Sequence, residues 1–387
     1  MGIWADDIKK HFASIDWLLV VAVFLSMIYG YILVMSATNF MSDSVQFRIL
    51  LVPIAASVIG IACMFILSKS DYDHMTKYWK YLYIFNIIVL ILTFLVGKGD
   101  ETGNRNWIRI PIGGTTVGIQ PSEIVKITFI LTFSRHLDQI KNKINSIKNI
   151  ILLGLHFAVI FGLIVILQGD LGTGLVFVFM FLAMCFTAGV SLWYFLAGIF
   201  AIVAASPLAW NFMSENQRNR IIFGFTPELD AANVGFQAYT SRRAIGSGGL
   251  FGAGYGKGYY TQRDILPQQW TDFIFSAAGE EFGFIGAMLV LLLLTFIVIR
   301  IFIISKNARN TLGSLICVGV MSIFVSQTIE NIGMCLGRLP VVGITLPFFS
   351  YGGSSILGSL LGIGLVLSVN SRKNIYYFTR DENLDKF

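Results

Sequence analysis

Charge is scarce in this sequence. Asp, Glu, Lys and Arg make up 13% of the 387 residues, about half the usual share of a soluble globular chain. That is too little to clothe a cytosolic enzyme, and far too little for a disordered chain. Cysteine is scarce too. Cys63, Cys185, Cys317 and Cys335 lie in or beside apolar runs with neither metal-ligand nor redox-pair spacing, which excludes a secreted disulfide scaffold. The four histidines, His11, His74, His136 and His156, are scattered without an HExxH or any cluster, so no protein-built metal site is visible.

What the chain has is apolar length. Hydrophobic residues are 55% of the total and the mean hydropathy is +0.73. At roughly 20 residues per span, that supply fills about ten transmembrane helices. The apolar runs fall near 15–36, 49–67, 80–97, 121–135, 150–168, 172–190, 192–210, 272–300, 311–335 and 351–370. The expectation is an all-α integral membrane protein, a bundle of about ten transmembrane helices, with a long extracytoplasmic loop between spans seven and eight. The first run is too long for a signal-peptide core and reads as a retained span. With the N-terminus inside, 16 of the 28 basic residues fall on the inner side, as the positive-inside bias requires. An even span number places both termini in the cytoplasm. The seven tryptophans fall at span ends or in loops, where an amphipathic indole prefers to sit.

Two outer segments are unusual: about 98–120, and 211–271, which is longer than a connection requires. The second is too rich in aromatic residues for a disordered linker and is expected to fold back on the bundle. Within it, Gly246 to Gly258 superficially resembles a nucleotide loop but lacks the strand-then-helix setting. A flexible outer loop making close backbone approach to a partner or lipid headgroup is the better reading.

Three polar motifs stand at span borders. Gln120-Pro121-Ser122-Glu123 opens the fourth span as a capped helix start, yet Glu123 and Lys126 are then carried into the membrane as an i,i+3 pair. Ionisable residues there are costly and mark function. Asp272, behind Trp270, is either a helix cap or a partly desolvated carboxylate poised as a general base. Glu280 and Glu281 lie about 12 Å further down that helix and point away from Asp272. One is expected to line a polar cavity and the other to pair with a buried group.

The segment from Gln327-Thr328-Ile329-Glu330-Asn331-Ile332-Gly333-Met334 through Leu339-Pro340 to Leu346-Pro347-Phe348-Phe349-Ser350-Tyr351-Gly352-Gly353-Ser354-Ser355 resembles the RodA/FtsW/SpoVE family of shape, elongation, division and sporulation (SEDS) proteins. The likeness runs end to end, from Asp16-Trp17 through Trp107-Ile108, Gln168-Gly169-Asp170, Gln217-Arg218-Asn219-Arg220 and Thr271-Asp272-Phe273. The Glu-Asn-Ile-Gly-Met form looks more like RodA.

The resemblance implies a single SEDS-type transmembrane domain over 1–387, and a peptidoglycan glycosyltransferase polymerising lipid II on the outer face of the bacterial cytoplasmic membrane, for elongation and cell shape. It places the essential aspartate on Asp272, the loop tryptophan on Trp107 and the polar cavity pair on Glu123 and Lys126. Arg105, Arg109, Arg218 and Arg220, or a divalent cation such as magnesium or manganese, would offset the pyrophosphate charge, and Glu280 would join the substrate site. Expected partners are undecaprenyl-pyrophosphate-linked glycan, a class B penicillin-binding transpeptidase and other elongation-complex membrane proteins, with no nucleic acid. Asn106 stands where the family usually carries arginine, Gly169 where it carries proline, and Arg338 replaces a usual apolar residue. A lipid II flippase and a non-catalytic transpeptidase scaffold are the competing classes, and division or sporulation are alternative settings for the same polymerase.

Overall fold

The computed structural model describes residues 12–97, 104–112, 115–213, 215–233 and 235–372. Trp4 and the basic residues Lys9, Lys10, Lys373, Arg380 and Lys386 lie outside them. In chain order the helices are α1 (Trp17–Ala37), α2 (Asp43–Lys69), α3 (Tyr72–Lys77) and α4 (Trp79–Val96). A hairpin of β1 (Ile108–Ile112) and β2 (Thr115–Ile119) follows, then α5 (Ser122–Ile140), α6 (Ile147–Gly162), α7 (Leu171–Thr187) and α8 (Leu192–Phe212). The loop region carries α9 (Glu215–Phe225), α10 (Phe236–Ser247) and α11 (Tyr259–Gln262). Last come α12 (Ile274–Glu281), α13 (Gly283–Lys306), α14 (Thr311–Cys335) and α15 (Gly353–Ser371).

Every apolar run carries a helix, because backbone polar groups inside a bilayer must be satisfied within their own segment. Among the described residues, seven helices are long and apolar enough to cross: α1, α2, α4, α6 with its terminal π turn, α13, α14 and α15. The other three of the expected ten fall short for physical reasons. α5 carries Glu123, Lys126, Arg135 and Asp138, while α7 and the apolar part of α8, Leu192–Leu208, are shorter. The six described tryptophans do stand at helix ends or outside helices.

α14 and α15 form the centre. α15 packs along α2, and α14 lies between α5, α7, α13 and α15. Small residues permit this closeness, as is usual where helices must pack without a hydrophobic drive. A Cβ on Gly60 would fall 2.5 Å from Leu360 Cδ1, and one on Gly364 would fall 2.9 Å from the Met64 carbonyl oxygen. α2, α4 and α6 turn much of their surface outward.

The outer segment near 98–120 holds an antiparallel hairpin that pairs Ile108 with Ile119 and Ile110 with Val117. One expectation is corrected: the eighth apolar run is not one helix. α12 stops at Glu281, Gly283 takes the left-handed φ of +66°, and α13 begins there, a helix end of the glycine-terminated kind.

At the end of the bundle away from Asp272, several contacts bind the helices together. Asp16 caps α1 through Leu19 N (3.0 Å) and pairs with Arg300 of α13. Tyr72 Oη donates to Asn310 Oδ1 at 3.1 Å. Asn370 Nδ2 donates to the Ser14 carbonyl (2.8 Å), Ser368 Oγ to that of Ser70 (2.6 Å) and Arg372 to that of Lys69 (2.8 Å).

Candidate active site

The C-terminal end of α14, the N-termini of α5, α7, α12 and α15, the hairpin and the loop 336–352 meet at one end of the bundle. Asp272 lies in the turn just before α12. The helix starts behind Phe273 with no side-chain cap bond, so the capping explanation for Asp272 is not what the structure displays. Its backbone carbonyl accepts from Asn331 Nδ2 at 2.7 Å, and the same nitrogen donates to the Ile344 carbonyl at 2.7 Å. Asn331 thereby ties the aspartate turn to the loop after α14. A Cβ added to Gly343, whose φ is +69°, would stand 3.5 Å from Asp272 Oδ2, so the carboxylate faces bare backbone there. Tyr351 N donates to the Trp270 carbonyl at 2.8 Å and closes the other flank. Enclosed by protein though its residue surface is only half-buried, the Asp272 carboxyl is pushed up to about 6 by desolvation. That suits a group that must accept a proton near neutral pH.

Glu123 and Lys126 are both buried, and Lys126 Nζ stands 2.8 Å from Glu123 Oε2. The i,i+3 spacing made this contact, and Gly358 of α15 allows the carboxylate its room, since a Cβ there would lie 3.1 Å from Oε2. Asp170, which like Lys126 lies within electrostatic reach of Glu330, is a centre that sequence reasoning passed over. Its Oδ1 caps α7 through Thr173 N (2.9 Å). Its Oδ2 accepts from Thr173 Oγ1 (2.9 Å), Asn106 Nδ2 (2.6 Å) and Gln120 Nε2 (3.1 Å). The Asn106 departure therefore has a local use, fastening the hairpin entrance to α7. The only signal was the Gln-Gly-Asp motif itself.

Trp107 packs over Gly118 of the hairpin, where a Cβ would fall 3.0 Å from its ring. Arg105 is exposed with its guanidinium 5.4 Å from the Phe94 ring, and Arg109 is exposed on β1. Arg218 is placed differently: it donates to the Trp210 (2.9 Å) and Asn211 (3.1 Å) carbonyls and lies over the Trp210 ring. Its helix α9 does reach the site loop, because Gly224 abuts Pro340. The Arg220 side chain lies outside the described residues.

Glu280 is not open to a substrate. Its carboxylate accepts from Tyr260 N (2.7 Å), Thr261 N (2.9 Å) and Thr261 Oγ1 (2.6 Å). Glu281 accepts from Ser36 Oγ, Gly258 N (3.2 Å) and Gln262 Nε2 (2.6 Å). Pairing with buried polar groups, expected of one of them, is found for both, and the cavity-lining role expected of the other gives way to holding down the outer loop. The glycine run is packed against the protein as well. Gly252, with φ +81°, lies where a Cβ would be 2.2 Å from the Glu281 carbonyl oxygen. Ala253 N and Gly254 N donate to the Glu280 and Glu281 carbonyls, each at 2.9 Å. Close approach is what the glycines provide, and within the chain it is to the α12–α13 break. Among the described residues no three His, Cys, Asp or Glu side chains converge on a metal position.

These features define a multi-pass helical membrane protein with a polar, carboxylate-bearing site at one end of its bundle. The chain belongs to the FtsW/RodA/SpoVE family, described as cell cycle proteins, whose family model matches residues 16–375. It is 34% identical to the stage V sporulation protein E of Bacillus subtilis, over 92% of this chain and 97% of that protein. It is also 34% identical to the peptidoglycan glycosyltransferase MrdB of Escherichia coli K12, over 82% and 84%. Among solved structures it resembles a chain reported under the structural coordination of polymerization and crosslinking by a peptidoglycan synthase complex, with a TM-score of 0.79, 28% identity, and 93% and 99% covered. It also resembles the rod shape determining protein RodA of Thermus thermophilus, with a TM-score of 0.67, 27% identity, and 92% and 96% covered.

Proposed function

We propose that this chain is a peptidoglycan glycosyltransferase that polymerises lipid II into glycan strands, with Asp272 as its general base. The observation carrying this is the Asp272 carboxylate: uncapped, desolvated, and positioned from behind by Asn331. In the reaction, Asp272 takes the proton from the 4-hydroxyl of the GlcNAc on an incoming lipid II. That oxygen bonds to the anomeric carbon at the reducing end of the growing strand, and undecaprenyl pyrophosphate leaves with the bonding pair. Trp107, Arg105 and Arg109 border the site on the hairpin, and the exposed arginines can face the pyrophosphate. A magnesium ion keeps several waters and is commonly held by one or two carboxylates plus substrate phosphates. A single aspartate suffices for such a role, and the ion would offset pyrophosphate charge.

The site end is the outer face. Lys306, Arg309, Arg372, Lys69, Lys77 and Lys141 gather at or beyond the opposite helix ends, and Arg300 lies in the last two turns of α13, which supports a cytoplasmic position for that end and for both termini. A class B penicillin-binding transpeptidase is the proposed partner, in keeping with the synthase complex among the structural relatives. The Glu330-Asn331-Ile332-Gly333-Met334 form favours an elongation and cell-shape role. The extent of the match to the sporulation protein favours sporulation as a second reading. Depletion separates them, by rounded cells in one case and blocked spores in the other.

The deciding experiment is purified protein with lipid II in detergent, wild type against Asp272→Ala. Long strands from the wild type alone support the polymerase. A flippase would instead move headgroups across sealed vesicles, and a scaffold would tolerate the substitution.

A further inference from the structure

Glu330 is a buried carboxylate that no donor among the described residues serves. It lies on α14 with 4% of its surface exposed, and neither carboxylate oxygen has a hydrogen-bond partner among the described residues. Lys126 and Asp170 are within electrostatic reach of it, but the contact Lys126 makes is to Glu123, neither reaches Glu330 with a hydrogen bond, and Asp170 takes four donor contacts of its own. A buried acceptor left unpaired costs more than a typical hydrogen bond gains, and a carboxylate more still.

The neighbouring orphans share its character. Gln327 Oε1, one turn back on α14, is unpartnered, as are Gln168 Oε1 and Asn106 Oδ1 on either side of Asp170 and the hydroxyl of Ser122 beside Glu123. The orphaned donor Asn86 Nδ2 belongs to the α4–α5 contact, where Thr128 Oγ1 donates to Asn86 Oδ1. The orphaned set is thus mostly acceptors, with only the Ser122 hydroxyl able to act either way. A pyrophosphate, itself all acceptors, cannot complete it. A saccharide can, with hydroxyl and amide N–H groups.

We propose that Glu330 binds the sugar portion of the lipid-linked substrate, accepting hydrogen bonds from its hydroxyl or N-acetyl amide groups, while the pyrophosphate lies elsewhere, toward the hairpin arginines. This rests on the polymerase reading and adds the part of the substrate that enters the bundle.

The test compares wild type, Glu330→Ala and Glu330→Gln for binding of fluorescent lipid II, binding of undecaprenyl pyrophosphate, polymerisation kinetics and thermal stability. A hydrogen bond to a charged group predicts a loss of lipid II affinity of roughly tenfold to a hundredfold in Glu330→Ala. KM should rise with kcat largely kept, and Glu330→Gln, which retains an acceptor, should fall between. Undecaprenyl pyrophosphate should bind all three proteins equally, and the melting temperature should hold or rise once the unpaired carboxylate is gone. Unchanged lipid II affinity, meaning water alone completes the lining, overturns the proposal, and so does an equal loss for undecaprenyl pyrophosphate. If wild type binds lipid II but makes no strands, the polymerase reading fails while the binding comparison still decides the role of Glu330.

Discussion

Replacing Asp272 by Asn should stabilise the protein while abolishing its activity. Burial lifts the Asp272 carboxyl from 3.8 to about 6, and each pH unit is worth about 1.36 kcal/mol. A group whose folded pKa is raised leaves the protein at full stability below 3.8 and takes stability away as pH rises through about 6. Above that the penalty is complete, and the shift sets it at no more than about 3 kcal/mol, since solvent reaches part of the residue. Asn keeps the size and carries no charge, so the variant should lose this pH dependence and melt a few degrees higher at pH 7.5. Catalysis runs the other way. The base works deprotonated, so the wild-type rate should fall about tenfold per pH unit below 6 and level off above 7. Tryptophan-fluorescence melts in detergent, with Trp270 two residues away as reporter, and strand synthesis from lipid II across pH 5–8 measure both. A wild-type rate flat over that range, or an Asn variant polymerising near the wild-type rate, would refute the assignment.

Lys126→Ala leaves Glu123 buried without its cation, and loss of one partner from a buried pair costs about 3–5 kcal/mol; the melting temperature and strand yield should both drop, and unchanged polymerisation would reduce the pair to helix packing. Asp170→Asn weakens charge-assisted bonds worth about 1.5–3 kcal/mol each, so limited proteolysis should cut sooner around 104–119 while the helical circular dichroism is retained. Gly252→Ala forces a Cβ onto the Glu281 carbonyl at a left-handed φ, which costs about 1–2 kcal/mol in backbone strain alone; a melt as stable as wild type would mean that the strap yields without cost.

What the sequence disclosed follows the range of each interaction. The Glu123–Lys126 pair was legible because three helical residues separate its members. Span positions were legible because a bilayer demands continuous apolar length. The hairpin left a signal, the alternation of Ile108, Ile110 and Ile112 before Gly113-Gly114, that a helical membrane reading overrode; the two glycines themselves lie outside the described residues. Helix geometry turned Glu280 and Glu281 away from Asp272, and their carboxylates do bond other groups. It could not supply their partners, which arrive from a loop some twenty residues earlier and, for Glu281, from Ser36 of α1. The Asp170 centre was hidden for the same reason, since Asn106 stands 64 positions away.

The bonds joining Asp16 to Arg300, Tyr72 to Asn310 and Asn370 to Ser14 give the bundle a fulcrum. Helices pinned at one end separate only by splaying at the other, as a clothes-peg opens. From Asn310 to Asn331 the central helix rises about 32 Å, so a small tilt at the pinned end becomes a gap several times wider beside Asp272. The mouth beside Asp272 can therefore widen while every one of those bonds at the pinned end is kept.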